Sequence, residues 1–338
     1  MKPTELSKYI QKYLLEYLPV TRGLSSNTVA SRRDTFTLLL EYMSVEKHLS
    51  PDKTEISDLN VETINGFLNW LETQRHSSAS TRNLRLTSLK TFFGFIQTVT
   101  PDYMFQCQQI IGIPQKIVPD ESIEYMSLEG IKALIEVVGV NTKTGFRDLM
   151  LLSVLYDCGA RVQETADLKV GDVRLQKPET IRLTGKGGKT RIVPLMAPTV
   201  KLLIKYFEVK GLGTPSFNSR PLFSNRNGDK LTRAGITYIL QKYADIARKR
   251  QPGLIPTSIS PHHLRHSRAM HMLQAGVPLI YIRDFLGHSE ISTTEIYARC
   301  DGKQKREAFE AAQPVLSKKE TPVWHSDDSL LNWLRSLC

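Results

Sequence analysis

The sequence predicts a mainly α-helical chain with a small antiparallel β-sheet, organised as an all-helical N-terminal domain followed by an α+β domain. Three observations carry that expectation. Apolar residues recur at three- and four-residue spacing in four stretches of the first hundred residues, the period of helices that bury one face. The pattern lapses between about Thr98 and Met126, over a segment rich in breakers. Helical patterning then resumes, interrupted by two short alternating runs about a glycine-rich turn.

In the first domain, residues 1–105, Leu6, Tyr9, Ile10, Tyr13, Leu14, Tyr17 and Leu18 trace one stripe. Val29, Phe36, Leu39, Leu40 and Met43 trace a second, with Ser25 and Ser26 signalling its start. Ile64, Phe67, Leu68 and Leu71 form a third, and Leu86, Leu89, Phe93 and Ile96 a fourth that Ser80 or Thr81 is placed to cap. Pro101, Gly112, Pro114, Lys116 and Pro119 punctuate the lapse, in which residues 106–126 read as an interdomain linker. The second domain, residues 127–300, opens with a helix bearing Leu128, Ile131, Leu134 and Ile135, then an apolar helix from Phe146 to Cys158 that stops at Gly159. Thr180–Thr184 and Thr190–Leu195 alternate as strands about Gly185-Lys186-Gly187-Gly188-Lys189, whose glycines supply the positive backbone angles of a tight turn. Helices follow at about Pro198–Glu208, Arg233–Arg248, His263–Ala275 and Leu279–Leu286. Residues 301–338 form a tail in which Ala308, Phe309 and Ala312 continue a helix. Its last stripe, Leu330, Leu331, Trp333, Leu334 and Leu337, docks on its own domain or on a neighbouring subunit.

With 338 residues, 41% apolar and 23% charged, the chain has material for two buried cores. No run approaches the roughly 20 apolar residues of a membrane helix. The first residues lack the apolar core of a secretion leader, so the expected location is the cytoplasm, on the nucleoid. Cys107, Cys158, Cys300 and Cys338 share no paired spacing, which argues against a disulfide framework or a Cys-x-x-Cys metal site. Lysine and arginine number 45 against 34 acidic residues, a formal charge of +11 that suits a polyanion such as nucleic acid. Charge alone does not separate a DNA-binding face from solvated lysines. Arg32, Arg33, Arg75, Arg82, Arg85 and Lys90 cluster around helix starts of the first domain, where they would meet phosphates. Lys189 and Arg191 of the basic hairpin are expected to do the same.

Four signatures in the second domain carry chemistry, and their combination is more specific than any one. Gly159-Ala160-Arg161-Val162-Gln163-Glu164 sets an arginine just past a helix end, with a glutamate on the next short helix. Lys186, at its glycine-rich turn, is a mobile proton donor able to enter a DNA groove. Ser260-Pro261-His262-His263-Leu264-Arg265-His266-Ser267 stands at a helix start. Leu286-Gly287-His288-Ser289 is followed by Thr293-Thr294-Glu295-Ile296-Tyr297. Five of the eight histidines lie between His262 and His288, so zinc is a rival reading. Against it, there is no His-Glu-x-x-His and no carboxylate pair, and Arg265 among the histidines would repel a dication. His266 and His271 share a helix with Leu264, Met270, Met272 and Leu273, and read as structural.

Together these motifs resemble the tyrosine recombinase family, also called the phage integrase or lambda integrase family, whose pattern is Arg, Lys, His-x-x-Arg, His or Trp, then Tyr. The similarity covers about residues 140–300, and the helical first domain is similar in length and pattern to the family's core-binding, SAM-like domain. The resemblance implies a catalytic set of Arg161, Lys186, His262, Arg265, His288 and Tyr297, with Tyr297 as nucleophile. Paired guanidinium N–H groups suit the nonbridging oxygens of a phosphate whose charge grows in the transition state. A phenol is neutral near pH 7 and must lose its proton as it attacks, so His262 is the expected base, Lys186 the acid for the leaving 5′ oxygen, and His288 a phosphate donor. Glu164 and Asp172 are expected to position the basic residues. The implied activity is site-specific recombination of double-stranded DNA through a 3′-phosphotyrosyl intermediate and a Holliday junction, run by a homo-tetramer with tail exchange. Neither cofactor, metal nor ATP is expected. A mobile-element integrase fits the divergent tail and loops, while phage, integron and resolvase roles stay open. A type IB topoisomerase and a DNA-binding regulator with an inert tyrosine share parts of the pattern.

Overall fold

Helices α1 (Glu5–Lys12), α2 (Ser26–Glu46), α3 (Val61–Thr73), α4 (Ala79–Val99) and α5 (Met104–Ile111) build the N-terminal unit. The computed structural model describes residues 3–118, 124–288, 290 and 294–297, except the side chain of Lys186, and the chain divides into two units between Glu121 and Ser122. The tail expected at 301–338 lies outside the described residues.

The N-terminal helices form where caps and apolar stripes agree. Thr4, Asn60 and Ser78 each accept a backbone N–H at the start of α1, α3 and α4, and Ser25 precedes α2 in extended conformation. Ser78 therefore caps α4 ahead of the expected Ser80 or Thr81, which fall inside its first turn. Beyond Lys12, α1 continues as a π-helical segment through Thr21 that contains Pro19. The stripes meet in one core, in which the rings of Tyr13, Tyr17, Phe36, Phe92 and Phe95 stack edge to face or tilted. Each fully buried side chain of this size contributes about 1.5–3 kcal/mol.

The stretch expected as a linker from residue 106 instead begins inside α5. Cys107, Ile110 and Ile113 are buried in the core shared with α3 and α4. The segment Met-Phe-Gln-Cys-Gln-Gln-Ile-Ile is short and has no charged face, so its helical period was faint. After it the chain stays on α4. The Asn83 amide exchanges hydrogen bonds with the Lys116 backbone at 2.7 and 3.0 Å, and the Lys116 ammonium reaches Glu72 at 2.7 Å.

The second unit holds α6 (Leu128–Glu136), α7 (Lys143–Asp157), α8 (Val162–Asp167), strands β1 (Val173–Arg174), β2 (Thr180–Thr184) and β3 (Thr190–Pro194), then α9 (Ala197–Lys210), α10 (Arg233–Arg250), α11 (Pro261–Gln274) and α12 (Leu279–Leu286). The sheet runs β1-β2-β3, antiparallel throughout, with Ile181 opposite Val193 and Leu183 opposite Arg191. Ile181, Leu183 and Val193 point into the core built around α7, while the alternate residues face out, as period-two patterning requires. Gly187 and Gly188 both take φ of +73°, the conformation the turn demands. The short β1 was not anticipated; two residues are too few to show alternation. Among the described residues no helix is long and apolar enough to cross a membrane.

Candidate active site

Helix ends supply most of the site. The α7 helix stops at Gly159, whose φ is +53°, and Arg161 then begins α8 as its N-cap residue. Its backbone N–H donates to Glu164 Oε2 and its Nη1 to Glu164 Oε1, both at 2.8 Å. Glu164 is 3% exposed. Burial alone would raise its pKa, but hydrogen bonds and charge from Arg191, then Arg161, outweigh that and hold it at about 2. Arg191 on β3 grips the same carboxylate with Nη1 and Nη2, each at 2.8 Å, in the two-pronged geometry that a guanidinium allows.

The C-terminal end of α12 is the second organiser. A helix leaves its last carbonyls without intrahelical partners, and they carry partial negative charge. Gly287, in the left-handed conformation at φ +66°, and His288 return their N–H groups to Asp284 and Arg283. The next three carbonyls each take an arginine: Phe285 from Arg191 Nε at 2.9 Å, Leu286 from Arg265 Nη2 at 2.7 Å, and Gly287 from Arg161 Nη2 at 3.2 Å. Arg265 Nη1 also reaches the Gly159 carbonyl at 2.6 Å, so both helix ends fix it. Arg265 is 3% exposed, and burial, Arg161 and Arg191 pull its pKa down to about 9, leaving it charged at neutral pH.

Pro261 and Ser260 start α11, the Ser260 N–H donating to His263 Nδ1 at 3.0 Å. Helical spacing then sets His262, Arg265 and His266 on neighbouring positions of one face. The Tyr297 hydroxyl lies 2.9 Å from His266 Nδ1, and the two rings are tilted with centroids 5.7 Å apart. Tyr297 is 1% exposed; burial raises its pKa, while Arg265 and Arg161 oppose the rise. Burial, and then the neighbouring His262, His263 and Arg265, bring His266 down to about 4, so its ring is neutral at pH 7. His288 falls to about 4 for similar reasons, burial first and then Arg265 and Arg161, and its Nδ1 meets the buried Thr294 hydroxyl at 2.9 Å. Partial burial, Arg265 and Arg161 likewise lower His262, which is otherwise exposed.

Arg161, Lys189, Thr190, Arg191, Gly287 and His288 are among the residues lining a cleft of about 480 Å³. Of the six expected catalytic residues, the structure thus brings Arg161, His262, Arg265, His288 and Tyr297 within electrostatic reach of one another. The backbone of Lys186 sits on the hairpin turn; its side chain lies outside the described atoms. Glu164 pairs with Arg161 at 2.8 Å. Asp172 holds Arg182, whose Nη2 and Nε reach its Oδ1 at 2.7 and 2.9 Å, and takes the Lys169 N–H on Oδ2, so it braces β2 and does not meet Arg161. The Tyr297 phenol meets His266, whose place among Leu264, Met270 and Met272 reads as structural in sequence. Only its step of four residues from His262 hinted at a shared face.

The expected DNA contacts divide. Lys189 is exposed at the cleft, Arg33 is exposed beside Asp34, and Lys90 is half-buried. Arg191 is 12% exposed, with its donors turned inward to Glu164 and Phe285. Arg82 is buried against Asn83 and the Pro114 carbonyl, and Arg85 ties α4 to Ser31 and Thr35 of α2. Arg32 has Nη1 enclosed in the fold. These basic side chains register as surface charge in sequence because guanidiniums buried by backbone carbonyls leave no compositional mark.

Residues 124–304 match the phage integrase family model, and residues 10–98 match the phage integrase N-terminal SAM-like domain. The chain is 30% identical to the integrase/recombinase y4rC of Sinorhizobium fredii over 336 residues, 99% of each chain. It is 31% identical to the tyrosine recombinase XerD of Listeria monocytogenes over 309 residues, 89% of this chain and 97% of the relative. In fold it resembles the Tn1549 transposon integrase solved in complex with transposon right-end DNA, at a TM-score of 0.67 and 16% identity over 90% of this chain and 98% of that one. With this coverage and the helical SAM-like and catalytic units both in place, the chain belongs to the phage integrase family and is a tyrosine recombinase.

Proposed function

We propose that this recombinase cuts and rejoins double-stranded DNA through a 3′-phosphotyrosyl link on Tyr297, exchanging strands through a Holliday junction in DNA integration, excision or transposition. The observation that carries the reading is the phenol of Tyr297 held 2.9 Å from the neutral imidazole of His266, beside Arg265 and Arg161. With His266 protonated on Nε2, its Nδ1 accepts the phenolic O–H and takes that proton as the oxygen attacks phosphorus. His266 thus replaces His262 as the first acceptor, and His262 stays at the exposed edge of the same helix face. Arg161 and Arg265 stabilise the charge that accumulates on the nonbridging oxygens, with His288 as a further donor. Lys186 protonates the departing 5′ oxygen. The intermediate conserves the phosphoester, so a second strand's 5′ hydroxyl reseals it with the proton transfers reversed. Because Tyr297 is 1% exposed, attack requires the phenol to be uncovered.

The fixed cations favour this chemistry over an inert tyrosine in a DNA-binding regulator. Full-length likeness to an integrase/recombinase supports a role in DNA integration, and the work would be done in the cytoplasm by a tetramer on two duplexes. The test uses a supercoiled plasmid and a linear duplex, both carrying the DNA that flanks the gene. Joint products are expected with the wild-type chain. Efficient relaxation of a plasmid lacking that DNA, without joint products, would point to a type IB topoisomerase instead.

A further inference from the structure

We propose that Arg191 is a positioning residue: through Glu164 and the end of α12 it sets the guanidiniums of Arg161 and Arg265 and ties them to the hairpin that carries Lys186. The inference rests on the proposed strand-cleavage reaction.

The geometry is direct. Arg191 sits on β3, one side of the hairpin, and spends Nη1 and Nη2 on Glu164 and Nε on the Phe285 carbonyl. Glu164 holds Arg161 by both backbone and side chain. The carbonyls after Phe285 hold Arg265 and Arg161, so one helix end indexes three guanidiniums against each other. Without Arg191, the Glu164 carboxylate keeps a single cation and is free to draw Arg161 out of register, while the Phe285 carbonyl loses its donor.

The fit leaves no slack. A Cβ on Gly287 would stand 2.9 Å from Arg191 Cδ, and one on Gly185 would stand 3.0 Å from Glu164 Oε1. The hairpin turn therefore rests against the carboxylate that Arg191 grips, which couples the position of the turn carrying Lys186 to the cation cradle. A lysine at 191 would supply charge but not three donors in a fixed plane. Arg191 is thus assigned to the framework and not to phosphate binding, against the expectation from its place in a basic hairpin.

The test compares wild type, Arg191→Lys, Arg191→Gln and Gly287→Ala, each as the full chain, on a nicked duplex carrying the cleavage site mapped in the gene-flanking DNA. Two versions are used: an ordinary 5′ oxygen leaving group, and a 5′ bridging sulfur that departs as thiolate without needing a proton. In both, the Tyr297 O–P bond forms as the bond to the 5′ atom breaks. All three variants are expected to keep DNA affinity and to form the covalent complex at saturating DNA roughly 100-fold more slowly, as when a preorganised donor is lost. The sulfur substrate should not rescue them, whereas it should rescue Lys186→Ala. Wild-type rates in Arg191→Gln overturn the inference. So does a loss confined to DNA affinity, which would make Arg191 a phosphate contact, and so does rescue by sulfur, which would limit its action to Lys186. Should Arg191→Gln fail to fold by circular dichroism, Arg191→Lys, which keeps the charge but loses the planar fork, decides by the same readouts. Absence of any covalent complex in wild type would instead refute the proposed reaction.

Discussion

Replacing Glu164 by Gln should destabilise the second unit by about 3 kcal/mol at pH 7, because this carboxyl titrates at about 2 when folded against an ordinary 4.5. A carboxyl held that far below its ordinary value is worth roughly 3–4 kcal/mol, within the roughly 3–5 kcal/mol lost when a buried ion pair is broken. The carboxylate is 3% exposed and takes N–H groups from Arg161 and Arg191, so solvent screens little of the effect. Gln would offer one acceptor oxygen and turn an NH2 group toward a guanidinium. A depressed acid contributes stability that is fully present above the unfolded pKa and is lost as pH falls through the folded one. The difference between wild type and variant should therefore persist at pH 7 and 5, and shrink to about 1 kcal/mol by pH 3. Urea denaturation of the full chain, read by pulsed hydrogen exchange in peptides from 124–288, isolates this unit from the N-terminal one. A difference below about 1 kcal/mol at pH 7, or one that stays constant down to pH 3, would refute the reasoning.

Lys189→Ala, at an exposed position on the cleft, should lower DNA affinity and reduce the slope of log affinity against log salt by roughly 1, with the melting temperature unchanged. Arg85→Ala should do the reverse: about 1–3 kcal/mol of N-terminal stability lost with the Ser31 and Thr35 contacts, and the salt slope unaltered. His266→Phe removes the acceptor of the Tyr297 phenol and should slow covalent-complex formation by roughly 100-fold or more. The wild-type rate should hold from pH 7 to 5 and fall only as His266 protonates near pH 4, since protonation removes the acceptor of the phenol proton; an acid limb centred near 6.5 would contradict the assignment.

The helices were legible wherever one face is apolar and the other is not. The hairpin was legible because Gly187 and Gly188 mark its turn within a basic sequence. α5 was missed because a short uncharged helix at the edge of a core shows no contrast between faces. Residue types of the site could be read from motif order, but their partners could not. That Arg191 turns inward follows from where α12 ends in space, and that His266 rather than His262 meets the phenol follows from the placement of residues 294–297 against α11. Likewise Asp172 pairs with Arg182 because β2 runs beside its turn, a juxtaposition across ten positions that local spacing does not specify.

The most direct test of the account is to trap the chain on a nicked duplex of its own flanking DNA and map the adduct by mass spectrometry. A 3′-phosphate ester on the peptide containing Tyr297, absent in Tyr297→Phe while DNA binding persists, is the predicted result. An adduct that survives in Tyr297→Phe, or one attached to another side chain or to a 5′ phosphate, would contradict it.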